Sequence, residues 1–316
     1  MTTYDLATFG EGQIRLTVGK GDRLCTTTGL RMTAAGSEAN VAGLLSQLSR
    51  RTTWASVIPT TDLGTRVMAE YRSVGVDLSH VIRTADERIA LYFMEPGDGP
   101  MPARVTYDRL HTKFREITPD TFDWDSLLDT RVLFVTGITA SLTEDTAKVV
   151  THAVNEAARR GVEVALDVNY RSLLWSPQRA REVLEPLLDK VSILFCSRAD
   201  GAKVFGLDGD GPTVNRRLQE WTGIRHVVST DATAGVYYCG EQGCQTYEVQ
   251  QVPVVDRPGA GDSFVAGCLH GYLDGDVKAG IGYGLRTSKF ALTHHGDLTH
   301  ISATELEIPT TTDIVR

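Results

Sequence analysis

The chain has 316 residues, 41% of them hydrophobic and 23% charged, with a formal net charge of −8. That length suits one large α/β domain or two smaller ones, and the acidic balance argues against general affinity for nucleic acid or an anionic membrane surface, leaving small molecules as the expected partners. No stretch approaches the roughly 18 apolar residues of a membrane span, and the opening MTTYDLATFG lacks the basic flank and apolar run of a secretory signal. Five scattered cysteines, Cys25, Cys196, Cys239, Cys244 and Cys268, argue against a disulfide framework and for a reducing cytoplasm. Only seven of the 32 basic residues are lysine, a bias that a GC-rich genome or a salty cytoplasm would equally produce.

Strand-like runs alternate with amphipathic helical runs, the pattern of a mainly parallel sheet covered on both faces. Two segments break the alternation. Residues 12–35 and 88–117 hold β-like pieces, including RIALYFME and ARVTYDR, separated by the loop PGDGP. They are too short for a domain of their own and predict a small β-sheet lid inserted into a single domain. Further on, VLFVTG (132–137) precedes a helix over 143–160, where Ala147, Val150, Val154 and Ala157 recur at helical spacing. VEVALDV, VSILF and RHVVST continue the βαβ series, the second and third following helical runs of their own. Cys239 and Cys244 in YYCGEQGCQ lack the second pair a zinc clip needs, and the adjacent glycines predict a hairpin turn. Neighbouring His294 and His295 point in different directions without a third ligand, so helix capping is the better reading. The final IPTTTDIVR predicts a loose tail.

The chemistry concentrates in VVDRPGAGDSFVAG, residues 254–267. An extended run, QQVPVV, leads into a helix on which Phe264, Val265, Cys268, Leu269 and Tyr272 recur at helical intervals, so the glycines sit where a loop enters the helix. Backbone N–H groups are unpaired there and the helix dipole is positive, so Gly259, Ala260 and Gly261 can bring bare amides against a phosphate or developing anion. Asp262, in the first turn, is placed to take a proton from a substrate hydroxyl while those amides stabilise a transferring phosphoryl group. The bland alternative is an N-cap. No G-x-x-x-x-G-K-[ST] loop is present, and GAGDSF lacks the third glycine of a dinucleotide fingerprint.

DRPGAGDSFVAG resembles the C-terminal signature of the ribokinase-like (PfkB) sugar kinases, D-T-x-G-A-G-D-x-F-x-x-G, and residues 34–81, beginning AAGSEANVAG, resemble that family's G-G-x-x-x-N-x-A segment. LDVNYRSLLWSP (166–177) is most similar to the 2-keto-3-deoxygluconate kinases. The resemblance, from about residue 4 to about 300, implies a doubly wound α/β fold with a β lid that often forms a dimer surface. It also implies MgATP-dependent phosphorylation of 2-keto-3-deoxygluconate to its 6-phosphate. The galactonate epimer, a neutral sugar such as fructose or ribose, and a non-catalytic sugar sensor stay as alternatives, and a K+ requirement stays open.

On that resemblance Asp262 is the general base. Gly36 lets the sugar approach, and Ser37, Glu38, Asn40, Tyr92 and Tyr107 bond its hydroxyls. Arg109 and Arg171 grip its carboxylate bidentately. Asn169, Arg171, Thr230, Asp231, Gly235, Gly259 and Gly261 face the nucleotide, and Asp200 is the candidate contact to its magnesium. Two departures stand out. In TDATAG, Thr230 and Ala232 replace the lysine and first glycine of K-x-G-x-x-G, and SRAD replaces N-x-x-E, leaving Asp200 as a shorter carboxylate. Arg15 is an unusual cation in a segment that faces the sugar in relatives.

Overall fold

In the computed structural model, which describes residues 2–307 except 86, 98 and 242, alternating side chains of the central strands feed two separate cores. Leu6 packs on one face of the sheet with Phe134, Leu44, Trp54 and Phe264, while its neighbour Ala7 packs on the other with Leu133, Val150 and Leu166. This is the strand period of two with both faces buried by helices. The expected tail, 308–316, lies outside the described residues.

The strands are β1 (Tyr4–Phe9), β2 (Gln13–Thr17), β3 (Arg31–Ala35), β4 (Thr52–Pro59), β5 (Val81–Thr84), β6 (Ala90–Glu95) and β7 (Arg104–Asp108). They continue with β8 (Thr130–Thr136), β9 (Glu163–Asp167), β10 (Ile193–Phe195), β11 (His226–Thr230), β12 (Val236–Gly240) and β13 (Gly243–Tyr247). A nine-stranded sheet runs β13-β12-β11-β10-β9-β8-β1-β4-β5, and a four-stranded sheet runs β3-β2-β6-β7. The large sheet is parallel from β5 to β11 and turns antiparallel only at β12 and β13. Strands of the small sheet come from the two segments that broke the sequence alternation.

Local signals account for most boundaries. The helix Glu144–Arg160 starts at a Thr143 capping box and stops at Gly161 with φ of 72°. QQVPVV forms no regular strand, and the helix that follows begins at Ala260. Cys239 and Cys244 do face each other across the expected hairpin, in direct register. They are joined by a disulfide, which corrects the expectation of free thiols there; the other three cysteines are free. His294 and His295 lie past the helix Val277–Leu292, and no metal-holding group occurs among the described residues.

The helix Ala260–Leu273 is held at its depth by glycine contacts with Val277–Leu292. A Cβ on Gly267 would come within 2.5 Å of the Gly284 backbone, and one on Gly271 within 2.4 Å of Gly280. Gly267→Ala should therefore destabilise the protein by about 1–3 kcal/mol through overpacking, seen as a lower thermal midpoint. Gly282→Ala, on the same helix pair with nothing within 4 Å of its Cβ, should instead stabilise by about 0.5–1 kcal/mol.

Candidate active site

A cavity of about 720 Å³ opens outside the carboxyl ends of β9, β10 and β11 and is walled on one side by the small sheet. This is where an open α/β sheet places its ligands, and the volume suits a small-molecule site. Gly36, Ser37, Asn40, Tyr92, Tyr107, Arg109, Asn169, Arg171, Asp200, Thr230, Gly259, Gly261 and Asp262 all line it.

Asp262 sits on its floor, held at both oxygens. The Ser37 hydroxyl donates to Oδ1 at 2.6 Å and Asn40 Nδ2 to Oδ2 at 2.7 Å. Ser37 and Asn40, three residues apart on the helix Ser37–Gln47, share one face. Each is oriented in turn: Asn169 Nδ2 donates to Ser37 Oγ at 3.1 Å, and the Tyr71 hydroxyl donates to Asn40 Oδ1 at 2.8 Å. Burial pushes the Asp262 carboxyl up to about 6 against the opposing pull of Asn40 and Ser37, and the Asp297 charge adds to the rise. The N-cap alternative does not hold, because Gly259 is the cap and the Asp262 side chain reaches another helix.

Gly259 is required twice over. Its φ is 84°, and a Cβ there would fall 2.0 Å from the Asp297 carbonyl oxygen. Gly261 lines the cavity with nothing within 4 Å of a built Cβ, so a ligand can approach its first-turn backbone closely. The Ala260 amide already donates to the Arg257 carbonyl at 3.3 Å, which removes it from the expected set of bare donors.

Other expectations need correction. Glu38, one residue from Ser37, points toward the sheet instead of the cavity; it is 1% exposed and accepts from Thr136 and Thr139 hydroxyls at 2.6 Å each. Ser37 gives its hydroxyl proton to Asp262, and Asn40 gives it one of its two amide N–H groups. The Tyr92 hydroxyl donates to Asp297 Oδ2 at 2.5 Å, so that tyrosine offers the cavity its ring. The Arg109 guanidinium is ion-paired with Glu11: Nε donates to Oε2 at 2.9 Å, while the buried Nη2 lies 2.7 Å from the same oxygen without the geometry of a hydrogen bond. Arg15 is fully buried between Asp256 at 2.7 Å and Asp297 at 2.8 Å, away from any sugar.

Asp231 and Gly235 do not line the cavity. Asp231 accepts from Arg198 Nε at 2.9 Å, and its amide closes the 231–235 turn on the Gly235 carbonyl. Ala232 holds φ at 48°, the left-handed conformation that glycine would adopt without cost.

Among the cavity residues to which the sequence analysis gave no role are Asp167, Asp297, Arg257 and Gln13. Asp167 ends β9 and accepts the Asn169 amide at 3.1 Å. Burial, with the nearby Asp200 and Asp262 charges, pushes it up to about 8, and burial raises Asp200 as well. Such a pair suits a cation arriving from outside. Asp297, Arg257 and Gln13 also line the wall. Asp167 stands inside the quoted LDVNYR and Asp297 closes the THHGD stretch that was read for its histidines; Gln13 carries no sequence signal.

The pfkB family carbohydrate kinase model matches residues 4–304. A 2-dehydro-3-deoxygalactonokinase of Haloferax volcanii is 35% identical over 308 residues, covering 96% of both chains. A 2-dehydro-3-deoxygluconokinase of Bacillus subtilis is 28% identical over 86% of this chain and 84% of its own. The 2-dehydro-3-deoxygluconokinase of Thermotoga maritima superposes with a TM-score of 0.89 at 29% identity, over 96% of this chain and 97% of that one. A putative ribokinase II of E. coli, solved with ATP and Mg2+, shares the fold with a TM-score of 0.85 at 18% identity, over 96% and 98% of the two chains. With its ribokinase-like sheet and its GAGD turn over one cavity, the chain belongs to the PfkB family of carbohydrate kinases.

Proposed function

We propose that this kinase transfers the γ-phosphoryl group of MgATP to the terminal hydroxyl of a 2-keto-3-deoxy sugar acid. The observation that carries the proposal is Asp262, fixed at both oxygens on the cavity floor beside the bare turn of Gly259 and Gly261. A base so fixed takes the hydroxyl proton as the substrate oxygen bonds to the γ-phosphorus and the bond to ADP breaks. First-turn amides, Arg171 and Arg257 stabilise the charge on the transferring group, and the Asp167–Asp200 pair faces the magnesium that the nucleotide brings.

Support for a sugar acid comes from Arg109 and Arg171 in one cavity and from the names of the relatives. Arg171 is exposed and unencumbered by Glu11, so it takes the larger share of the carboxylate. The Haloferax enzyme, at 35% identity against 28% for the Bacillus one, supports the galactonate epimer as the better substrate, ahead of the gluconate first expected. Segments 12–35 and 88–117, inserted in a single kinase domain, act as a lid that closes over the sugar and excludes water. Assembly of copies through that sheet and a cytoplasmic setting rest on the same family likeness.

ADP release measured with both keto-deoxy epimers, fructose and ribose tests the substrate. Turnover confined to the keto-deoxy acids supports the proposal, and turnover of a neutral sugar alone overturns the acid assignment. Asp262→Asn should lower kcat by at least about 10³-fold, at the upper end for a lost general base, with the KM for MgATP nearly unchanged. Because only the ionised carboxylate is a base, wild-type kcat/KM, which reports the free enzyme, should fall as pH drops through about 6 and level off above it; a kcat/KM profile flat from 5 to 8 would remove Asp262 from that role. Arg171→Ala should raise KM for the sugar acid by about 10- to 100-fold, as expected for a lost charge-assisted bond, and should leave KM for fructose, which has no carboxylate, nearly unchanged even where kcat falls for both.

A further inference from the structure

We propose that Gln13 reads a secondary hydroxyl of the acceptor and sets which epimer at that carbon is phosphorylated; this rests on the sugar-acid function above. Gln13 lines the cavity, is 7% exposed, and its Oε1 has no hydrogen-bond partner among the described residues. A buried amide oxygen left unpaired costs free energy, and native structures keep few of them without a use. The surroundings explain why nothing in the protein satisfies it. In register on either side of Gln13 stand Ala35 on β3 and Ala90 on β6, whose methyl groups leave space and offer no donor.

No nearby donor reaches it. Arg15, two residues along the same face of β2, gives Nη1 and Nη2 to Asp297 and Asp256 and keeps a buried Nε that does not bond Gln13, and Tyr92 donates to Asp297. An amide oxygen accepts only, so its partner must be a donor, and a sugar hydroxyl is one. The terminal torsion of a glutamine is soft, so the carboxamide can turn its oxygen toward a ligand without moving the strand. Asp262 takes the terminal hydroxyl and the two arginines take the carboxylate. The groups left on a 2-keto-3-deoxy six-carbon acid are the keto oxygen and the hydroxyls at C4 and C5, and the gluconate and galactonate forms differ at C4.

Gln13→Leu and Gln13→Met separate this role from packing, since both keep the side chain's size and remove its amide. Each should retain the thermal midpoint and the KM for MgATP. Each should lower kcat/KM for the preferred epimer by about 10- to 100-fold, mainly through KM, and bring the ratio between the epimers toward one, because a site built around a hydroxyl loses discrimination when its partner is removed. An epimer ratio unchanged in both variants overturns the proposal, as does a loss confined to thermal stability. Wild-type turnover is read first: if only fructose is phosphorylated, the sugar-acid function falls and Gln13 is scored by the ratio of fructose to its C4 epimer tagatose. A wild type inactive on all of these overturns both.

Discussion

Asp262 has to be fixed in place and yet keep enough basicity to take a proton, and the cavity is arranged around that conflict. Hydrogen bonds from Ser37 and Asn40 stabilise its ionised form, whereas burial and the Asp297 charge oppose ionisation. Burial prevails, and the group is held near 6, poised just below neutral pH where a base is mostly ionised and still has appreciable proton affinity. Its support reaches one layer further along two branches, from Asn169 to Ser37 and from Tyr71 to Asn40, so three other segments of the chain must be assembled before the carboxylate has its geometry. Asn169 keeps φ at 38° to make its contact, a backbone conformation that asparagine tolerates better than most residues.

What the sequence revealed and what it hid divide along a physical line. The GAGD turn was legible because its chemistry is local: glycine freedom, helix-start amides and a carboxylate lie within four residues. The large sheet was legible from period and from capping residues such as Thr143 and Gly161. Glu38 was misread although helical geometry could have corrected it, since residues i and i+3 share a face and i+1 does not. Arg15 was harder, because its partner Asp297 lies 282 residues away and only the fold brings them together. Cysteine counting also failed at Cys239 and Cys244, where hairpin register decides whether two thiols meet.

The two charge clusters around the cavity are solved in opposite ways. Asp256 and Asp297 share the Arg15 guanidinium, a cation built into the chain, and desolvation of all three is offset by short, paired contacts. That cluster also ties β2 of the small sheet to both ends of the structure around Gly259, since Asp256 precedes the turn and Asp297 packs against it. Asp167 and Asp200 have no comparable buried partner; Arg171 lowers both but lies at the exposed rim. Their negative potential is left for something that enters from solvent.

An anion alone would be a poor match for that arrangement. Amides of the first helical turn with Arg171 and Arg257 favour phosphate oxygens, while Asp167 and Asp200 a short way off repel them, so the cavity is complementary to a phosphate that carries its own cation. Asp262 raises the proton affinity of Asp167 through the charge they share. A cation beside Asp167 and Asp200 would let both carboxylates ionise, which burial otherwise opposes, and would offset the repulsion they then exert on Asp262. On the proposed reaction, the phosphoryl donor therefore brings the charge that this corner of the cavity lacks, and the carboxylates that are costly to ionise in the empty site are matched only when the donor and its cation arrive together.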